Sequence, residues 1–372
     1  MTTTAAETSL ETILRLSMLP GLGPRTLTAL LETFGDASEA LAASEDQLSS
    51  VPGVGPKLVH TIRTASHHVD TDTILNWCRD NGCDILVKGS ADYPKTLLDL
   101  CDAPPILFAR GKLIHTDRLA VAIVGTRHAT SYGTRQTDRI AYGLAKAGVT
   151  VVSGLARGVD GAAHRAALNA EGRTIAVLGG GIGEMYPAEH AQLAEEASQH
   201  GAVLSEYAPT AKPRGGMFPQ RNRLIAALAL ATLVIEAPDR SGSLITARLA
   251  GELNRDVLAL PGQVSSRASQ GTNQLIREGA TLVRGVEDIL EALGPMASSI
   301  KTDDGHEVRN PAELNLNDLE RKVLAAIEAT STPIDQVIAS SELAAHQVIA
   351  TISVLEMRRL VRRLSGQYVS RV

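Results

Sequence analysis

Between about residue 8 and residue 68 the apolar positions recur at helical spacing, and the pattern breaks twice at similar turns, Leu19-Pro20-Gly21-Leu22-Gly23-Pro24 and Val51-Pro52-Gly53-Val54-Gly55-Pro56. A short helical stretch follows each, Arg25 to Phe34 and Lys57 to Ala65, so the segment is an internal repeat. Gly-apolar-Gly turns of this kind mark helix-hairpin-helix modules that touch DNA backbone through exposed amides, and they equally suit ordinary helical hairpins with glycine at tight turns. Arg25 and Lys57 are the sole cations near the two turns.

From Leu119 the pattern changes. Short apolar runs without alternation (Ala120 to Val124, Thr150 to Val152, Thr174 to Leu178, Ala202 to Leu204, Leu233 to Ile235, Val257 to Leu260, Thr281 to Val283) are separated by helical stretches. Continuous apolar strands between helices predict a parallel sheet covered on both faces, the doubly wound α/β architecture. A connector with Tyr93-Pro94, Pro104-Pro105 and Ala109-Arg110-Gly111 precedes it. Past Leu293 periodicity gives way to a linker rich in Gly, Pro, Asp and Ser. Three helices (Leu319 to Ala329, Ile334 to Ser340, Leu343 to Met357) and two short strands around Ser365-Gly366 then predict a winged helix. The expected domains are 1–84 (helical), 85–295 (connector and sheet), 296–316 (linker) and 317–372 (winged helix).

Length and composition fit this division. A chain of 372 residues exceeds one ordinary core. With 44% hydrophobic and 21% charged residues and no apolar run long enough to cross a bilayer, neither membrane insertion nor global disorder is expected. The N-terminus lacks the layout of a signal peptide, so the expected compartment is the cytoplasm. Cys78, Cys83 and Cys101 form neither a disulfide framework nor a zinc pattern and are expected to be buried thiols; no metal or cofactor is expected. A net charge of −5 excludes coating nucleic acid by bulk attraction and leaves room for a local basic groove, while 3% aromatic residues restrict base stacking to particular side chains.

Ligands of open parallel sheets bind outside the carboxyl ends of the strands. Those ends carry Gly125-Thr126-Arg127, Ser153-Gly154-Leu155-Ala156-Arg157-Gly158, Gly179-Gly180-Gly181, Ser241-Gly242-Ser243 and Pro261-Gly262. Small residues let a ligand approach the backbone, and helix N-termini offer amides to phosphate. The loop Lys212-Pro-Arg214-Gly-Gly-Met-Phe218-Pro-Gln-Arg221-Asn222-Arg223 adds four cations, no acid and a stacking group in Phe218. Arginine with an aromatic over a glycine-lined groove suits a single strand of nucleic acid. There is no Gly-x-x-x-x-Gly-Lys-Ser/Thr loop, and Arg127 stands where dinucleotide folds need glycine, which argues against ATPase and redox enzymes. Asp160, His164, Glu206 and Glu236 are candidate acid–base groups; the favoured reading has Asp160 capping its helix and the glutamates fixing the arginine loops.

Taken in order, Ile123-Val-Gly-Thr-Arg127, Tyr132-Gly133, Ser153-Gly-Leu-Ala-Arg-Gly-Val-Asp160, His164, Tyr186-Pro187, Ser205-Glu206, Phe218-Pro-Gln-Arg-Asn-Arg223, Ser241-Gly-Ser-Leu-Ile-Thr246 and Leu260-Pro-Gly262 resemble the DprA/Smf family of DNA-processing proteins. The resemblance implies a Rossmann-like central domain between a helix-hairpin-helix (SAM-like) domain and a winged helix. It further implies a homodimer that binds single-stranded DNA without cutting it and helps load the RecA recombinase during natural transformation. By position, it assigns phosphate contacts to Gly125, Thr126, Arg127, Ser153, Gly154, Gly179, Gly180, Gly181, Lys212, Arg221 and Arg223, and the base-facing role to Phe218. The reading of the strand ends adds Arg157, Ser241, Gly242 and Ser243, and that of the basic loop adds Asn222. Ala188 departs from the pattern, since some relatives have lysine after Tyr-Pro. Two other classes stand beside this one: a nucleotide phosphoribohydrolase on a related sheet, whose catalytic glutamate is missing from its expected place near Ser241, and a partner-binding scaffold. Leu343 to Met357 offers only His346 and Gln347 to base edges, ahead of Arg358, Arg359, Arg362 and Arg363, so the winged helix is expected to dock a protein or touch phosphates and not to read sequence, with a dispensable helical appendage as the alternative.

Overall fold

The computed structural model describes residues 2–294, 300–301, 307–308, 310–358, 360–364 and 366–372. A nine-stranded sheet organises the molecule: β1 (Asp84–Val87), β2 (Ile106–Gly111), β3 (Ala120–Val124), β4 (Thr150–Ser153), β5 (Thr174–Val177), β6 (Gly201–Ser205), β7 (Ala231–Val234), β8 (Asp256–Ala259) and β9 (Thr281–Leu282). Their spatial order is β1-β2-β6-β5-β4-β3-β7-β8-β9. The strands β3 to β9 pair in parallel, as their unbroken apolar runs require, each run being buried on both faces from β3 to β7.

Two strands lie where the sequence showed only a connector. Asp84 pairs with Ala109 and Phe108 with Ser205, so β1 and β2 extend the β6 edge antiparallel and the sheet is mixed. Proline masks this pair: Pro104-Pro105 precedes β2, and the Tyr93 hydroxyl donates to Pro104 O at 2.7 Å to hold the approach.

Alternate residues of the strands feed opposite cores. Ile175, Val177 and Val152 pack with Leu224, Ile225 and Leu228 of the helix Met217–Leu228. On the other face Val121, Ile123 and Val151 meet Ile140 and Leu144 of Ser131–Lys146 and Ala163 and Ala166 of Val159–Asn169. Alanine at these helix positions lets helix and sheet approach closely.

The helical domain is not a loose appendage. Leu14, Cys78 and Cys83 share a core with Phe108, Leu178 and Ile182, beneath the β2–β6 end of the sheet. Cys101 is exposed, against the expectation that all three thiols are buried, because it sits in the turn after the short helix Lys95–Asp99 and outside the buried clusters. The two hairpin turns are neighbours, since a Cβ at Gly53 would lie 2.9 Å from Thr26 Oγ1. Both need glycine for their left-handed residues, φ +83° at Gly21 and +87° at Gly53.

The C-terminal unit has the helices Asp318–Ala325, Ile334–Ser341 and Ala345–Met357 around an apolar core of Val323, Val337, Val348, Ile352 and Val369. Its sheet adds a short strand, Thr332–Pro333, to the expected pair Val361–Leu364 and Tyr368–Arg371. Part of the expected linker, and Arg359, lie outside the described residues.

Candidate nucleic-acid interface

After β3 the chain runs outward to β6 on one side and then returns to lay β7 on the other, so the order reverses between β3 and β7. At such a switch point the loops diverge and leave a crevice. The crevice is a groove of about 1020 Å³, lined among others by Gly125, Thr126, Arg127, Phe218, Asn222 and the Ser241–Ser243 turn. Thr126 N donates to Glu236 O at 2.7 Å, which ties the turn after β3 to the end of β7.

The glycines here are steric requirements. A Cβ on Gly125 would meet Val159 Cγ2 at 2.5 Å, and one on Gly158, whose φ is +74°, would meet Thr126 O at 2.3 Å. Leu155 also takes a positive φ of 56°, so the Ser153–Gly158 turn is held in a conformation L-residues avoid. On the far side Ser241 Oγ caps the helix Gly242–Glu252, accepting from Ser243 N at 3.3 Å. The remaining first-turn amides and the helix dipole face an anion favourably.

Over the groove the Arg127 guanidinium lies 5.2 Å from the centre of the Phe218 ring, and Tyr186 packs on the same ring at 5.5 Å with the planes tilted 52°. The three side chains make an aromatic, cationic cluster of the sort that stacks bases. Phe218 is held from below by Gly179, where a Cβ would come within 2.6 Å of its Cδ1.

Beneath that surface sits a buried polar layer. Arg221 is 3% exposed; its Nη1 donates to Gly154 O at 2.7 Å and also to Val177 O. Burial lowers its pKa to about 10, partly offset by Asp160, so it remains charged at neutral pH. Burial likewise raises the Asp160 carboxyl, against the pull of Arg221. Asp160 Oδ2 accepts from Ala156 N at 3.4 Å, bracing the preceding turn; Gly158, not Asp160, holds the N-cap position. His164 is fully buried, its Nδ1 2.7 Å from Thr174 Oγ1 and its pKa lowered to about 3, chiefly by burial and then by His190 and Arg221.

The two glutamates have separate duties. Glu206 accepts from Arg223 Nη2 at 2.6 Å, as expected of a carboxylate fixing an arginine. Glu236 instead accepts from Thr130 N at 2.9 Å and Thr130 Oγ1 at 2.6 Å, anchoring the start of Ser131–Lys146.

Several expected contact residues lie off the groove. The Ser153 hydroxyl is buried and donates to Ile123 O at 2.6 Å. Gly180 and Gly181 pack under Pro213 and Pro209 and support the basic loop, as Gly179 supports Phe218. Arg223 is buried between Glu206 and Asp102, 3.3 Å from the latter, because its position on the helix turns it toward the core. Lys212 faces a neighbouring cleft. Arg157 stays at the rim, gripped bidentately by Glu189 at 2.6 and 2.7 Å. Gly154 is placed under Arg221, whereas Asn222 stays in the groove lining, its Nδ2 donating to Gly242 O at 3.3 Å.

Conversely, His128, Tyr186, Arg240, Arg267 and Gln270 line the groove or its rim without having been singled out as contacts. Arg240 adjoins the Ser241 turn and was legible as a strand-end cation. Arg267 and Gln270 lie beyond the Pro261-Gly262 turn and reach the groove only through the fold. In the winged helix Arg358 pairs with Glu320 at 3.4 Å and Arg363 with Glu356 at 3.4 Å, which reduces the free charge of the expected cluster.

Fold and groove define a class: a Rossmann-like sheet with an arginine-lined groove of about 1020 Å³ at its strand ends, in a chain that also carries tandem helical hairpins and a winged helix. The sequence model described as DNA recombination-mediator protein A matches residues 84–294, the DprA winged helix domain 307–367, and the SAM-like helix-hairpin-helix tandem 13–65. Protein Smf of Synechocystis is 35% identical over 95% of this chain and 97% of its own length. The DNA processing protein DprA of Bacillus subtilis is 39% identical over 59% of this chain and 74% of its own. Among solved structures, DprA from Streptococcus pneumoniae superposes with a TM-score of 0.66 at 35% identity, covering 75% of this chain and 96% of that one. DNA processing protein A from Helicobacter pylori, solved for its single-stranded DNA binding mode, gives 0.52 at 34% identity over 57% and 95%. The chain belongs to the DprA/Smf family.

Proposed function

We propose that this protein binds single-stranded DNA along the groove at the β3/β7 switch point, without cutting it, and passes it to the RecA recombinase in the cytoplasm during natural transformation, working as a homodimer. The observation that carries the reading is the Arg127–Phe218–Tyr186 surface over a glycine-lined anion groove. Phosphates would lie on the Gly125–Arg127 and Ser241–Ser243 turns with Arg240 and Arg267, and a base on Phe218. Arg221 serves indirectly, by fixing the turn after β4. The relative from Helicobacter pylori, described by its single-stranded DNA binding mode, supports the ligand class. Engagement of Glu236 and Asp160 with backbone amides, and of one Glu206 oxygen with Arg223, supports binding over turnover.

The test is fluorescence anisotropy with labelled single-stranded and duplex oligonucleotides across a salt series. Single-strand preference is expected, with affinity falling as salt rises. Arg127→Ala removes a cation and one face of the stack, and is expected to weaken binding roughly tenfold or more. Binding indifferent to Arg127 would move the function to the outer domains.

A further inference from the structure

The basic loop has two sides. Pro213, Gly215 and Phe218 face the groove, whereas Lys212, Arg214 and Met217 face a second cleft of about 430 Å³, whose opposite wall is the first hairpin turn of the helical domain. That volume falls in the range of small-ligand pockets, roughly 300–1000 Å³. Its composition is graded. Lys212, Arg214, Pro20 and Gly21 at the mouth are exposed; Leu19, Leu27 and Ile106 at depth are buried, and Leu22, Tyr207 and Met217 lie between. Neither Lys212 nor Arg214 pairs with an acid among the described residues, so both charges are available at the mouth.

At depth the cleft meets an unsatisfied acceptor. Glu206 has a side chain 6% exposed; Oε2 takes Arg223, but Oε1 has no donor in hydrogen-bonding geometry, although the Tyr207 hydroxyl is a near neighbour. A buried carboxylate oxygen without a donor costs free energy that an incoming N–H recovers. Cations at the mouth, apolar walls and a hidden acceptor describe the complement of an amphipathic ligand: an anion at one end, a flat apolar body, an amino group at the other.

We propose that this cleft is a nucleotide-binding site, distinct from the groove, that seats the phosphate on Lys212 and Arg214 and directs an amino-bearing base, guanine, adenine or cytosine, toward Glu206. Thymine is disfavoured because its N–H is flanked by two carbonyl oxygens that would confront the carboxylate. The proposal rests on the reading of the adjacent groove only for the source of the base: a nucleotide of a strand crossing the loop, or a free mononucleotide.

The experiment uses the full chain and has two arms. In the first, dGMP and dTMP are titrated by saturation-transfer NMR. In the second, an oligothymidylate is compared with the same oligomer carrying one internal dG, by anisotropy. Preference for guanine in the first arm identifies a free-nucleotide site; preference in the second alone identifies a strand-borne base. In either case Arg214→Gln and the cleft-filling Leu22→Trp are expected to reduce the guanine-dependent binding about tenfold, and Glu206→Gln to abolish the preference for dG over dT. Leu22→Trp touches neither Arg223 nor the groove, so it guards against misfolding of the Glu206 variant. Arg127→Ala is expected to weaken strand binding while leaving any mononucleotide signal intact, which separates failure of the groove reading from failure of this one. Absence of a guanine preference in both arms, or a preference unaffected by Arg214→Gln and Leu22→Trp, overturns the proposal.

Discussion

At the scale of single residues, this molecule places charged groups where they hold shape as often as where they meet ligand. Arg221 is the clearest case. Its guanidinium closes two strand-end carbonyls, and Arg221→Ala would leave both unsatisfied beside a buried Asp160. The expected cost is about 3 kcal/mol or more, read as a lowered midpoint in urea denaturation; a variant of unchanged stability but weaker DNA binding would make Arg221 a ligand contact instead. His164 supplies a pH signature. Its folded pKa is about 3 against an ordinary 6.5, so the unfolded chain takes a proton that the folded chain refuses. The contribution is fully present above about pH 6.5 and is lost as pH falls toward 3, at up to about 1.4 kcal/mol per pH unit. Wild type is therefore expected to lose more stability than His164→Gln between about pH 7 and about pH 5; parallel losses would contradict the burial of a neutral imidazole. Sequence marked all these residues by type and position. It could not separate Arg127, which is exposed, from Arg221 and Arg223, which are buried, because which helix face turns inward depends on packing that no local spacing encodes.

At the scale of elements, the groove depends on where helices begin. The helix Ser131–Lys146 starts at Thr130, whose amide and hydroxyl are both taken by Glu236 from the end of β7. Gly133 has no room for a side chain there, since its Cβ would lie 2.2 Å from Glu236 Oε2. Gly133→Ala is expected to displace the carboxylate and loosen the Gly125–Arg127 turn, costing about 1–3 kcal/mol and raising hydrogen exchange at that turn; unchanged exchange would show the anchor to be dispensable. The strands β3 to β9 were readable because each is an apolar run between helices. The pair β1 and β2 was not. Their antiparallel partnership with β6 is a long-range choice, and the prolines beside β2 read as a loop.

For the whole molecule, the sheet and the helical domain share a core, whereas the winged helix has its own. Deleting residues 317–372 is expected to leave strand affinity in the groove within about threefold of the full chain, measured by anisotropy; a larger loss would place the winged helix in the DNA path. The isolated winged helix is expected to give no base-specific footprint, since its Ala345–Met357 helix presents Ile349 and Met357, 47% and 75% exposed, where a sequence reader carries polar side chains.

The groove at the switch point is lined by residues from the loops at several strand ends and opens to solvent. A strand can therefore enter it sideways along its length, with no need for threading. Circular single-stranded DNA, which has no ends, is expected to bind as tightly as a linear strand of the same sequence.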